Sequence, residues 1–247
     1  MPSLRYALIV LAFIAAPAAQ AQWTGKAELG FLSSSGNTEA TSANTKFDLS
    51  HEGAKWLNKF YAGALYGENA EFATAERYEA SYQADWKITA HASWFGGIRG
   101  EQDRFSGFAY QTTLSTGASH RFIDSPTTQL SASLGAGVRR SKSETLVKTD
   151  AGEVIDRIEG EVADEPVATF SSSYEHSFTD STKITNKLLA ESGSDNTAVQ
   201  NDLALQVSMT DSLALAVGYG VRYNSDPPPL AEGTDTLVTV NLVYNIK

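Results

Sequence analysis

The chain contains no cysteine, so neither a disulfide framework nor a thiolate metal site can hold it together. Outside the first residues it also lacks any apolar run near the ~18 residues that a membrane helix needs. No Pro/Gly/Ser-rich linker divides it, so the length accommodates one domain. Basic side chains are scarce: 19 Lys and Arg stand against 29 Asp and Glu, a formal charge of −10. An acidic surface argues against nucleic acid as a partner.

The N-terminus is the exception to the missing apolar run. Met1 to Arg5 is a short positive start, Tyr6 to Ala16 is continuously apolar, and Ala19-Gln20-Ala21 is an A-x-A cleavage site. Residues 1–21 therefore read as a secretory signal peptide, too short to span a bilayer, with 22–247 as the mature chain. Removing Arg5 with the signal takes the net charge from −10 to −11.

What the mature chain has in quantity is period-two alternation. From Arg77 to Ile88, Tyr78, Ala80, Tyr82, Ala84, Trp86 and Ile88 alternate with Arg77, Glu79, Ser81, Gln83, Asp85 and Lys87. Strand side chains alternate faces, so one face is greasy and the other wet. Rings near the ends with small residues between them suit a strand whose greasy face meets lipid. A strand that meets lipid must belong to a closed barrel, because an open edge would strand backbone donors and acceptors.

About twelve such segments follow one another. They run Trp23–Ser33, Thr41–His51, Trp56–Gly67, Arg77–Ile88, Ser93–Arg104, Ala109–Phe122, Gln129–Ser141, Val167–Phe178, Thr182–Glu191 and Ala198–Met209. Two more alternate through Leu213–Tyr223 and Thr236–Ile246. Connections also alternate: tight ones at Glu52–Lys55, Thr89–Ala92, Ile123–Thr127, Thr179–Ser181 and Thr210–Ser212, and mostly longer ones between them, the longest at Ser143–Glu165. Sided loop lengths are the asymmetry of outer-membrane barrels, whose short turns face the periplasm. The expectation is an all-β, antiparallel transmembrane barrel of about twelve strands. It would sit in the outer membrane of a Gram-negative bacterium, with outer-membrane lipids and lipopolysaccharide around it. The barrel-assembly machinery would be its partner during biogenesis; the sequence fixes no oligomeric state.

Several ordered motifs carry a family resemblance. They are Gly30…Gly36-Asn37-Thr38, Asp103-Arg104-Phe105-Ser106-Gly107, Gly135-Ala136-Gly137, Phe178-Thr179-Asp180-Ser181-Thr182, Tyr223-Asn224-Ser225-Asp226-Pro227-Pro228, Gly233-Thr234-Asp235-Thr236 and Leu242-Val243-Tyr244-Asn245. Together they resemble the salt-induced outer-membrane (YdiY-like) family, a domain-of-unknown-function family, over essentially the whole mature chain. The resemblance implies a barrel and an envelope role under salt or osmotic stress; it brings no activity, ligand or catalytic residue. The ending Tyr244-Asn245-Ile246-Lys247 departs from the terminal aromatic common in such barrels.

Pointing each polar face inward predicts the lining. Eleven basic residues result: Lys26, Lys46, Lys59, Arg77, Lys87, Arg99, Arg121, Arg139, Lys183, Lys187 and Arg222. Nine acidic ones oppose them: Glu28, Asp48, Glu79, Asp85, Glu101, Asp103, Glu175, Glu191 and Asp202. Arg77, Glu79, Asp85, Lys87, Arg99, Glu101, Asp103, Arg121, Arg139 and Arg222 are the candidate lining residues. Near balance predicts mutual pairing and at most a narrow, weakly selective pore, since an anion channel needs surplus positive charge.

Enzyme chemistry is not expected. His51, His91, His120 and His176 fall at or near tight-turn ends, where amphipathic rings sit at the headgroup level. There is no zinc-helix His spacing and no G-x-S-x-G, so a barrel-borne lipid enzyme ranks third, behind a structural barrel and a solute channel. The acidic stretch Ser143–Glu165 centres on a turn at Thr149-Asp150-Ala151-Gly152 and reads as a projecting hairpin with a solvated face. Divalent-cation capture is its sharper alternative, but the ligand spacing of a calcium loop is missing. No cofactor or metal is expected.

Overall fold

The computed structural model describes residues 23–34, 40–69, 72–149, 152–227 and 232–246. Residues 1–22, 35–39, 70–71, 150–151, 228–231 and 247 lie outside the described residues, and with them the expected signal segment, the turn at Ser35 to Thr38, and Pro228 and Pro229. Twelve strands follow in order: β1 (Trp23–Ser34), β2 (Ala40–Glu52), β3 (Trp56–Asn69), β4 (Ala73–Lys87), β5 (Ala92–Asp103) and β6 (Phe108–Asp124). The second half is β7 (Thr128–Lys148), β8 (Val154–Ser177), β9 (Thr182–Ser192), β10 (Thr197–Ser208), β11 (Leu213–Asn224) and β12 (Thr234–Ile246). Each pairs antiparallel with its sequence neighbours, and β1 pairs with β12, closing the barrel. Closure removes the two free edges of an open sheet.

The alternation expected for Arg77–Ile88 sets β4 as it stands. Tyr78, Tyr82 and Trp86 are exposed on the outside, and Asp85 is buried on the inside. A strand of twelve residues such as β11 is roughly 40 Å long at ~3.4 Å per residue. Tilted by about 45°, it covers close to the ~30 Å of a hydrocarbon core. The outer surface matches that span. Leu203, Leu205, Leu215, Val217, Val238, Val240 and Leu242 are all exposed there. Burying such a belt in lipid is what reconciles it with water-borne biosynthesis, and it makes the fold a transmembrane barrel.

Rings mark the short-turn rim of the belt. Trp56 pairs in register with Trp86, and Trp86 with Trp94, so three exposed indoles stand side by side on adjacent strands. Trp94 Nε1 donates to Thr116 Oγ1 at 2.9 Å. His51 lies 4.8 Å from Trp23, and His176 packs on Phe178, between ring centroids 5.0 Å apart.

The long acidic segment differs from a loop. β7 runs on to Lys148 and β8 begins at Val154, so most of Ser143–Glu165 is a two-stranded ribbon rising past the neighbouring strands. Gly152 closes its tip with φ 89, and its N–H donates to Thr149 O at 2.9 Å. A register shift between Lys142 and Glu144 marks where the ribbon leaves the wall. The sidedness expected from loop length is therefore carried by overrunning strands more than by unstructured connections.

Candidate functional site

Inside the barrel the side chains converge on one charged lattice. β4 and β5 are in register at Arg77↔Asp103 and Glu79↔Glu101, which stacks four ionised groups on the inner face. Arg77 Nη2 lies 2.5 Å from Asp103 Oδ2, and Arg77 Nε lies 3.9 Å from Glu101. Arg99 holds Glu101 and reaches Glu79 and Glu191, each at 3.8 Å. Arg222 adds contacts to Glu79 at 3.2 Å and to Glu101 at 3.6 Å. Neutral groups complete the lattice: Tyr61 Oη donates to Glu79 Oε1 at 2.7 Å, and Gln200 Oε1 accepts from Arg222 at 2.8 Å. Unpaired charges would be costly in so enclosed a place, which is why each guanidinium serves more than one carboxylate.

Many of these bonds span the lumen. Arg222 is on β11 and Glu79 on β4; Arg99 is on β5 and Glu191 on β9. Lower down, Lys46 on β2 meets Asp202 on β10 at 3.2 Å, and Lys187 on β9 meets Asp48 on β2 at 2.6 Å. Lys187 Nζ also sits 5.9 Å over the ring of Tyr61 on β3, diametrically opposite in a ring of twelve strands. The interior is cross-braced rather than merely lined.

Of the ten residues picked from the sequence, Arg77, Glu79, Arg99, Glu101, Asp103 and Arg222 come together in the lattice. The other four do not join it. Asp85 pairs with Lys59 at 3.1 Å and accepts from Ser119 near the short-turn end. Lys87 pairs with Glu52 at 2.5 Å, and Arg121 with Asp124 at 2.8 Å, both at that rim. Arg139, 1% exposed, binds Glu165 at 2.5 Å and donates to Asn196 O at 2.8 Å, tying the β9–β10 turn to the wall.

Two inward carboxylates escaped the sequence reading. Glu165 stood inside the expected loop, and Asp235 stood one residue ahead of the expected last strand. Asp235 is in fact opposite Arg222 in register. Their signal was parity: each continues the inward phase of its strand. Phe95 was also missed as an inward residue. It is buried against Gly135, where an added Cβ would come 2.8 Å from Phe95 Cζ. Glycines on the facing strands are the clue that room exists for a ring.

Above the lipid belt, Arg140 makes a bidentate bond to Asp164, with both contacts at 2.7 Å. Those hydrogen bonds hold the Asp164 carboxyl below the usual carboxylate range. Arg157 braces the base of the ribbon. It donates to Glu144 and to Arg104 O, both at 2.6 Å, and its guanidinium lies over the Phe105 ring. As for histidines, His176 Nδ1 meets Thr128 Oγ1 at 2.8 Å. Among the described residues no His contacts a Ser hydroxyl, and no group of three or more His, Asp or Glu is placed to hold a metal.

Sequence comparison places the chain in a family. The model of the protein family of unknown function DUF481 matches residues 27–246, nearly all of the barrel. The chain belongs to the DUF481 family. A curated relative of this DUF481 protein is the uncharacterized protein YdiY of Escherichia coli K12. It is 25% identical over 229 residues, covering 92% of this chain and 85% of YdiY. Among solved structures, the COG4313 outer membrane channel from Pseudomonas putida F1 is similar at 7% identity and a TM-score of 0.48. The match covers 96% of this chain and 100% of that one. The NanC porin is similar at 12% identity and a TM-score of 0.44, covering 90% of this chain and 97% of that one. Likeness at this level carries no function across; the barrel reading of this DUF481 chain rests on its own strand pairing and outer belt.

Proposed function

We propose that this chain is a non-enzymatic outer-membrane barrel of a Gram-negative envelope, with a structural or minor-pore role under osmotic or salt stress. Residues 1–21 direct its export, the assembly machinery inserts it, and lipopolysaccharide and phospholipid surround it. The observation that carries the reading is the cross-braced lumen. Each of the eleven basic residues assigned to the inner face from the sequence has a carboxylate within ion-pair distance. A wide solute channel keeps its lining charges free for the cargo; here they hold each other across the gap.

The test is conductance of the purified barrel in planar bilayers. Small, weakly selective steps are expected, and a large, strongly anion-selective current would overturn the reading. The stress connection rests on family resemblance. It is tested by the protein's abundance in host membranes as external salt rises, with unchanged abundance counting against it. A second reading, a narrow dedicated solute or ion channel, is favoured by Lys59 and Lys187. Their side chains remain 44% and 50% exposed although they face inward.

A further inference from the structure

The seam that joins the first strand to the last is only partly made. β1 pairs with β12 from Gly25↔Ile246 to Gly30↔Asn241 and no further. Yet β1 stays paired with β2 as far as Ser34↔Ala40, and β12 with β11 as far as Thr234↔Tyr223. Residues 31–34 and 234–240 therefore run on as strands with no ladder between them among the described residues. The split begins at a pinned point. Asn241 Nδ2 donates to Glu28 Oε2 at 3.0 Å, and the Asn44 and Asn241 amides close over Gly30, where a Cβ would strike both. It also begins inside the apolar belt, because Val240 is in register with Val217, midway along β11.

An open backbone edge at that depth is tolerated only beside a water-filled cavity. One is there: a cavity of about 210 Å³ takes Asp235, Thr236 and Leu237 of the free β12 stretch into its wall. A second, independent feature concerns the two lips of the split. Glu28 and Gly30 carry the inward phase of β1 and are buried, but Leu32, next in that phase, is 67% exposed. Leu237 holds the inward phase of β12, two residues after Asp235. Leucines at inner positions on both lips interrupt a face that is elsewhere mostly polar, and Phe31 and Val238 are exposed on the outer side. The slot is thus apolar through the thickness of the wall, which suits hydrocarbon and not an ion.

We propose that the long-loop half of the β1–β12 seam is a lateral portal between lipid and lumen, which takes the acyl chain of an amphipath with an uncharged, hydroxyl-bearing head. The chain lies in the slot and the head enters the cavity. Liquid water takes roughly 30 Å³ per molecule, so the space suits a head of glycerol size. The guanidiniums and carboxylates of the lattice already hold one another, and a charged head would have to break those pairs. Hydroxyls need not, and Asp235, which accepts no hydrogen bond among the described residues, faces them as an acceptor. The portal rests on the outer-membrane reading given above, but it needs no conducting pore.

The chain has no cysteine of its own, so introduced pairs report on the seam alone. The experiment folds the full chain in phosphatidylcholine vesicles and follows copper-phenanthroline oxidation of F31C/V240C and L29C/L242C. Both pairs lie on the lipid-facing side; Leu29 and Leu242 are partners in the ladder, and Phe31 and Val240 would be the next on that side. F31C/V240C is expected to cross-link about tenfold more slowly, because its backbones must first approach. Added 1-monolauroylglycerol should slow it further and leave L29C/L242C unchanged, while laurate should do neither. Equal rates for the two pairs, no effect of the monoacylglycerol, or an equal effect of laurate would each overturn the proposal. A single-cysteine measurement guards against misfolded pairs. A bimane label at Leu237→Cys should be quenched by phosphatidylcholine carrying a doxyl group on its acyl chain, and one at Leu65→Cys, on the same cavity but between fully paired strands, should not. Equal quenching at the two positions sinks the portal. The same label at Val217→Cys separates the readings: quenching there without quenching at Leu237 removes the portal alone, and none at Val217 removes the membrane reading and the portal with it.

Discussion

Lys187 and Asp48 meet at 2.6 Å although 139 positions separate them and their strands, β9 and β2, face each other across the barrel. Such a contact exists only once the ring closes. It couples the two walls, and with Lys46–Asp202 it forms a brace below the arginine lattice. Half-exposed pairs of this kind add little stability, about 0–1 kcal/mol each. Their consequence is for the lumen's width.

Removing that brace should therefore change current more than stability. In K187A/D48A the strands keep their backbone ladder, while two long side chains leave the lumen. Single-channel conductance is expected to rise clearly above the parent, with the urea midpoint nearly unmoved. Unchanged conductance would show that the arginine lattice, not the lysine brace, sets the constriction.

Arg139 should behave in the opposite way. It is 1% exposed and is the ion-pair partner of Glu165. Truncating one partner of a buried pair leaves the other charge uncompensated, at a cost of about 3–5 kcal/mol. Arg139→Met should lower the unfolding free energy by that order. Arg139→Met with Glu165→Leu should recover most of it, because a matched apolar replacement removes both charges. Urea titration of the barrel refolded in lipid vesicles reads both effects. Protease cutting near Asn196 should rise in both variants, since both lose the Arg139 guanidinium that anchors that turn through the Asn196 carbonyl.

The wall was legible in the sequence because its cause is local. Tyr78, Tyr82 and Trp86 alternate with Glu79, Gln83 and Asp85, and no other regular structure accommodates that period. Strand ends were less legible, since β7 and β8 overrun their neighbours in a stretch whose Asp and Glu content reads as loop. Parity put Arg77, Glu79, Arg99, Glu101, Asp103 and Arg222 on the face where the lattice forms, and it left out Glu165 and Asp235 because the strand bounds read from the sequence stopped short of them. What parity cannot give is who meets whom. Nothing in the residues around Lys46 names Asp202, because that choice depends on strand stagger and closure. Phe95 escaped for a related reason: an aromatic in a membrane strand reads as lipid-facing unless the glycines opposite it are counted.

Those glycines give a paired prediction. A Cβ at Gly117 would lie 2.2 Å from Leu134 O and 2.4 Å from Gly135 Cα, both backbone, so β6 and β7 would have to part. At Gly96 and Gly100 nothing lies within 4 Å of an added Cβ. Gly117→Ala should destabilise by about 1–3 kcal/mol, the range for overpacking. Gly96→Ala and Gly100→Ala should be neutral or stabilising by up to ~1 kcal/mol, because a strand glycine loses more backbone entropy on folding than alanine does. Equal effects at all three positions would mean that β6 and β7 are not so closely packed.

The lipid-facing assignment is tested most directly at Val217. It lies midway along β11, points outward, and is exposed among Leu205, Leu215 and Val240. In water, an exposed valine changed to arginine alters stability by no more than about 0.5 kcal/mol. At the midplane of a bilayer the same change costs about 2–4 kcal/mol, falling to roughly 0–1 near the interface. Val217→Arg should therefore destabilise the barrel strongly in vesicles, whereas Met209→Arg, at the short-turn end of the same face, should be mild. The contrast should shrink in detergent micelles, whose apolar interior is thinner and more easily deformed. Equal, small effects at Val217 and Met209 in vesicles would place the exposed belt in water and end the membrane reading. A graded loss from rim to midplane would fix the depth of β11 in the bilayer, and with it the level at which the arginine lattice crosses the lumen.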